Sequence, residues 1–173
     1  MHSASGRRHT ITVFISLLAS LTVFAIALIV AFAEKGWIGA FTTVLSSMVL
    51  EVLIGAAASV PLGFHPLTGA IVATLSNLAP APILIVSFDV LVQRWKWLHK
   101  KLGKIERFSR RFEKYGLVGL ALVSPFTGVY VACGVGITLR YRPFAILLAL
   151  TLGTIATALV VTYGGHFIKH LFW

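Results

Sequence analysis

HPLTGAIVATLSNLA, His65 to Ala79, lies over RPFAILLALTLGTIA, Arg142 to Ala156, without a gap: Pro66 falls on Pro143, Thr74 on Thr151, Leu75 on Leu152 and Ala79 on Ala156. With a two-residue adjustment upstream, Lys35 falls on Lys114. Each copy then runs through a short apolar arm to a kink signal, Leu45-Ser46-Ser47 in the first and Val123-Ser124-Pro125 in the second. The chain reads as one broken membrane segment written twice. Paired broken segments at matching positions point to a transport site near the bilayer midplane.

Of 173 residues, 58% are hydrophobic and 12% charged, too little polar surface for a soluble domain, so residues 1–173 read as a single membrane domain. Ile11 to Ala33 carries no charge and is long enough, at about 1.5 Å per residue, to cross a hydrocarbon core of about 30 Å. It is too long for a signal-peptide core of about 7 to 15 residues, although Arg7-Arg8 precede it and Ala31-Phe32-Ala33 has the form of a cleavage site. Cys133 is the only cysteine, so no disulfide or zinc pair forms within the chain.

The net charge of +10 does not imply a nucleic-acid partner. Nine of the fifteen basic residues lie between Arg94 and Lys114, beside membrane segments, where the positive-inside bias puts them, and no nucleic-acid motif accompanies them. The bias also decides topology. Suppose Ile11 to Ala33, Pro66 to Val92 and Pro143 to Phe167 cross, while Gly36 to Phe64 and Tyr115 to Leu139 are re-entrant hairpins. Thirteen basic residues then share the cytoplasmic face with the N-terminus, against Lys35 and Lys169 opposite. Full crossing by both hairpins leaves Arg7, Arg8, Arg140 and Arg142 on the wrong side.

The expected architecture is therefore an all-α integral membrane protein with three spanning helices, two re-entrant helical hairpins in an inverted repeat and one amphipathic interfacial helix. Residues 1–34 form the N-terminal tail and first span, and residues 35–92 a hairpin plus a span. Residues 93–114 form the basic helix, on the cytoplasmic side, with Trp95, Leu98, Leu102, Ile105, Phe108 and Phe112 on its apolar face. Residues 115–173 repeat the hairpin and span. So few spans enclose little cavity, which predicts a homo-oligomer among membrane lipids.

Glu51 is the most informative residue. No Lys or Arg lies within fifteen positions of it, and the topology puts it near the first tip, where an ionised carboxylate is costly and proton uptake is favoured. The second tip is Ser124-Pro125-Phe126-Thr127-Gly128, where proline removes a backbone donor and glycine permits unusual dihedrals. Asn77 interrupts the crossing helix between them. Glu51, Asn77, Ser124, Pro125, Thr127 and Gly128 are the expected transport and proton-coupling residues. Arg140 and Arg142, at the base of the second hairpin, are expected as phosphate or anion contacts, or else as interfacial anchors. Asp89 reads as a local pair, His65 as an interfacial histidine, and His166 with His170 as two metal-type ligands lacking a third. No catalytic or nucleotide-binding fingerprint is present; neither an enzyme nor a cofactor is expected.

Glu51 with the small run Gly55-Ala56-Ala57-Ala58-Ser59, then Gly63-Phe64-His65-Pro66-Leu67, Asn77-Leu78-Ala79-Pro80-Ala81-Pro82, Lys114-Tyr115-Gly116-Leu117-Val118-Gly119-Leu120 and the Pro125 to Gly128 tip resemble the small multi-drug export protein family. The resemblance runs from about Glu51 to Gly153. That family in turn resembles the wider DedA-like group, which implies facing re-entrant hairpins and two functions to choose between: proton-coupled export of a small molecule, or a flippase or scramblase acting on a polyprenyl-phosphate or phospholipid. The chain departs from the family pattern at Leu53, where an Arg often follows the Glu, and at Ala57, near where a Pro is common.

Overall fold

The computed structural model describes residues 3–94 and 116–172, and all regular structure among the described residues is helical. Six helices follow in order: α1 (Ser3–Leu50), α2 (Val52–Ser59), α3 (Pro66–Leu78), α4 (Ala81–Arg94), α5 (Gly116–Thr138) and α6 (Pro143–Phe172). Among the described residues, four stretches are long and apolar enough to cross a membrane: Ile11–Leu50, Pro66–Ser87, Gly116–Thr138 and Pro143–Lys169. The expected interfacial helix falls almost wholly on residues 95–115, outside the described residues, as does the side chain of Asp89.

α1 is two helices joined at Gly36, whose φ of 65° and ψ of −168° belong to no helix. The chain reverses there. Ala27 and Ala31 before the break share a core cluster with Ala40 and Val44 after it. A second reversal comes at Glu51. A Cβ built on Gly55 would stand 2.6 Å from Ser47 Cα, so α2 runs back along the second half of α1, with Gly55 giving the close approach that small residues allow. The Leu45-Ser46-Ser47 kink signal is displaced. Ser46 Oγ donates to the Thr42 carbonyl at 2.6 Å, which satisfies the hydroxyl on its own helix, and the break falls four residues after Ser47, where Glu51 takes φ 79°.

The backbone pattern recurs at the 77-residue offset of the sequence superposition. Glu51 (φ 79°, ψ 166°) corresponds to Gly128 (φ 82°, ψ 153°), and Gly63 (φ 74°) to Arg140 (φ 57°). Gly63 N–H donates to Val60 O at 3.1 Å and Phe64 N–H to Ser59 O at 3.1 Å. Their counterparts are Arg140 N–H to Ile137 O at 2.9 Å and Tyr141 N–H to Gly136 O at 3.0 Å. Both are Schellman-type helix ends, and each is followed by a proline, Pro66 or Pro143, at the first position of the next helix, where its missing N–H costs nothing. Packing is complementary between the two stretches. A Cβ on Gly69 would press on Ser59, whereas a Cβ on Gly136, the counterpart of Ser59, would stand 2.8 Å from Ile146, the counterpart of Gly69.

Three buried clusters hold the helices together. One joins α1, α3 and the turn before α3 through Ala27, Ala31, Ala40, Val44, Phe64 and Val72. A second joins α2, α3 and α6 through Val52, Ala56, Ala70, Ala73 and Ala158. The third joins α4, α5 and α6 around Leu120, Val129, Cys133, Ile146 and Leu150. Alanine dominates the first two, as in helices whose backbones approach closely within lipid. Ile38, Phe144 and Val160 are at least 74% exposed, faces that suit a hydrocarbon solvent.

Candidate functional site

The two positive-φ breaks meet. A Cβ built on Gly128 would overlap Glu51 Oε1 and stand 2.8 Å from its Cδ; the carboxylate, Oε1 foremost, leaves no room for a side chain there. Glu51 occupies the N-cap position of α2 without capping it through its side chain. The positive end of α2 and that of the half-helix after Gly128 both lie at this meeting point, where they favour negative charge. Apolar surroundings oppose that charge.

The break at Glu51 leaves the last carbonyls of α1 without intrahelical partners, and two other helices supply donors. Asn77 Nδ2, on α3, donates to the Ser47 carbonyl at 2.9 Å. Tyr130 Oη, on the returning half of α5, donates to the Met48 carbonyl at 3.0 Å. Asn77 is 3% exposed, so its amide is committed to holding the first tip. At the 77-residue offset from Asn77 stands Thr154, fully buried, whose hydroxyl donates to Leu150 O at 2.8 Å.

The second tip keeps its polar groups on its own helix. Ser124 Oγ donates to Ala121 O at 3.1 Å and Thr127 Oγ1 to Val123 O at 3.1 Å. Pro125 is buried inside the helix, and the backbone departs from helical geometry only at Gly128. Gly153 of α6 seats this arm: a Cβ there would stand 2.7 Å from Ser124 Oγ. Of the expected site residues, Glu51 and Gly128 touch, and Asn77 grips the helix that ends at Glu51. Arg140 and Arg142 lie elsewhere. They are exposed at the turn between α5 and α6, about 15 Å from Gly128 along a ten-residue helical arm.

Tyr130 and Gly153 are contacts that sequence reasoning missed. Gly153 could have been found, since it pairs a glycine with Ser124 across two adjacent helices. Nothing in the apolar run around Tyr130 announces a hydrogen bond to a carbonyl 82 positions earlier.

The profile of one protein family, described as Putative small multi-drug export protein, matches residues 50–160. The chain belongs to this family. The match opens one residue before Glu51 and runs past Gly153, so the resemblance drawn from Glu51 to Gly153 is confirmed over its whole length. No curated protein matches the chain, and no solved structure does. Together with the apolar helices, the family assignment describes a multi-pass membrane protein of a family named for multidrug export.

Proposed function

We propose that the protein is a proton-coupled exporter of small solutes, with its site between two hairpin tips that re-enter the bilayer from opposite faces as an inverted repeat. The observation that carries this reading is the Glu51 carboxylate seated against Gly128 at the meeting of two closely similar backbone breaks. Ionised, Glu51 attracts a cationic or polar solute and draws on the two helix N-termini. Protonated, it is neutral and releases that solute, so loading and discharge are tied to one proton. Ser124, Thr127 and Asn77 shape the surrounding polar backbone, while Pro125 and Gly128 create the break. No ATP-binding element is needed, because the proton gradient supplies the energy. The N-terminus and the basic segment 93–114 face the cytoplasm on this account, and a homo-oligomer completes the cavity that one copy is too small to enclose.

A lipid-moving activity is the second reading. An apolar groove of about 210 Å³ between α3 and α6, lined by Leu67, Ile71, Leu75, Ile155 and Leu159, fits an acyl chain, and Arg140 and Arg142 suit a phosphate headgroup. Reconstitution separates the two. In proteoliposomes carrying an imposed pH gradient, the exporter accumulates ethidium and leaves fluorescent phosphatidylcholine in its leaflet. Equilibration of the fluorescent lipid, without ethidium accumulation and independent of the gradient, contradicts export and establishes the lipid reading.

A further inference from the structure

Many helix hydroxyls among the described residues turn back onto their own helix. Ser16, Ser59, Ser76, Thr151, Thr154 and Thr162 all donate to a carbonyl three or four residues earlier, the ordinary way to satisfy a hydroxyl in lipid. Three hydroxyls whose oxygen is wholly enclosed do not. Ser20, Thr43 and Ser47 have no hydrogen-bond partner among the described residues, and each is at least nine-tenths buried. Leaving such groups unpaired is costly, so their placement requires a role.

Their placement is ordered. Thr43, Ser47 and Glu51 follow one another at intervals of four, so the two hydroxyls share a helical face that ends at the carboxylate. Ser47 Oγ lies against Gly55. Ser20 lies on the half of α1 before Gly36, whose Ala27 and Ala31 share a core cluster with Ala40 and Val44 of the other half. Going the other way along the same face, the next position is Gly39, and the Phe64 ring covers it, with Cε2 3.5 Å from a Cβ built there. Phe64 is fully buried. It also contributes to the wall of an open recess of about 920 Å³ that Glu34, His65, Tyr163 and His166 line. The recess lies at the Gly36 end of the molecule, where the Glu34 carboxylate accepts the His65 backbone N–H.

We infer that Thr43 and Ser47 form a hydroxyl-lined water file running from this recess to Glu51, with Phe64 as its gate. The file takes water and hydronium; the hydroxyls give waters something to bond to where the rest of the helix face offers only methyl groups. Glu34, Lys35, His65, Tyr163 and His166 are the charged and titratable groups at its mouth, and Glu51 is the group at its end. Phe64 closes the file when the recess is open, so protons do not leak through a resting protein. This inference rests on Glu51 as the coupling residue and adds the side from which its proton comes.

The test reads hydration directly. In Cys133→Ala protein reconstituted into liposomes, Thr43→Cys and Ser47→Cys are exposed to a membrane-impermeant ammonium methanethiosulfonate reagent on each side in turn. Val44→Cys, buried on the neighbouring face, is the dry control. With Phe64 intact all three react slowly. With Phe64→Ala, positions 43 and 47 should react at least tenfold faster than Val44→Cys, from the side that labels Lys35→Cys. Phe64→Leu, a milder opening that preserves core volume better, should give an intermediate rate. Rates at 43 and 47 no faster than at 44 in both gate variants overturn the file. The coupling reading fails separately: a fast file with normal gradient-driven transport in Glu51→Gln removes the role of Glu51 and leaves the file standing.

Discussion

Glu51 and Gly128 are 77 residues apart, adopt the same non-helical backbone and touch, the carboxylate of one lying on the bare backbone of the other. Each depends on the other's identity. Gly128→Ala should overlap the carboxylate and also place a side chain at φ 82°, a region costing of order 1–3 kcal/mol for a residue with a Cβ. Combining it with Glu51→Ala removes the overlap and leaves only the backbone cost. Unfolding of the two single variants and the double variant in detergent should therefore show a favourable coupling energy; simple additivity would mean that the two tips do not meet.

Glu51 itself occupies backbone that suits glycine, which makes stability and function oppose each other at this position. Glu51→Gly should melt higher than Glu51→Ala, by a difference of about 1–3 kcal/mol at the unfolding midpoint, while failing in transport. Equal stability of the two variants would show that φ 79° is not maintained in the membrane.

Arg140 holds φ 57° where its counterpart Gly63 holds φ 74°. Arg140→Gly should stabilise the protein by about 1 kcal/mol and Gly63→Ala should destabilise it by a similar amount, because the left-handed conformation costs a Cβ-bearing residue about 1–2 kcal/mol. Thermal unfolding in a fixed detergent reads both. If Arg140→Gly also impairs movement of a phosphate-bearing lipid but not of ethidium, the arginine serves the headgroup.

Asn77 should be needed for stability more than for chemistry. Its amide holds the Ser47 carbonyl at a helix end whose Met48 carbonyl is held by Tyr130, and interhelical hydrogen bonds in membranes contribute about 0.6 kcal/mol on average, with a ceiling near 1.7. Asn77→Ala should lower stability within that range and slow transport only in proportion to the folded fraction. A complete loss of transport in well-folded protein would promote Asn77 to a substrate contact.

Much of this geometry was legible in the sequence because proline and glycine report backbone demands directly. Pro66 and Pro143 sit at equivalent helix starts, and superposing them predicts the 77-residue offset at which every later correspondence recurs. The tips were harder. Ser46 and Pro125 are both helix-breaking residues by composition, yet Ser46 satisfies its hydroxyl within the helix and Pro125 is accommodated inside α5. What breaks each helix is a positive φ, readable at Gly128 but concealed at Glu51, where the residue is not glycine. Asn77 was identified as a polar interruption, although its partner is a main-chain oxygen, which no side-chain pattern can encode.

The central claim is that Glu51 couples solute movement to a proton, and one variant separates coupling from transport. Glu51→Gln copies the protonated side chain, so reconstituted protein should lose ethidium accumulation driven by a pH gradient while still exchanging labelled for unlabelled ethidium with no gradient present. Gradient-driven accumulation at the wild-type rate in Glu51→Gln proteoliposomes would contradict the account.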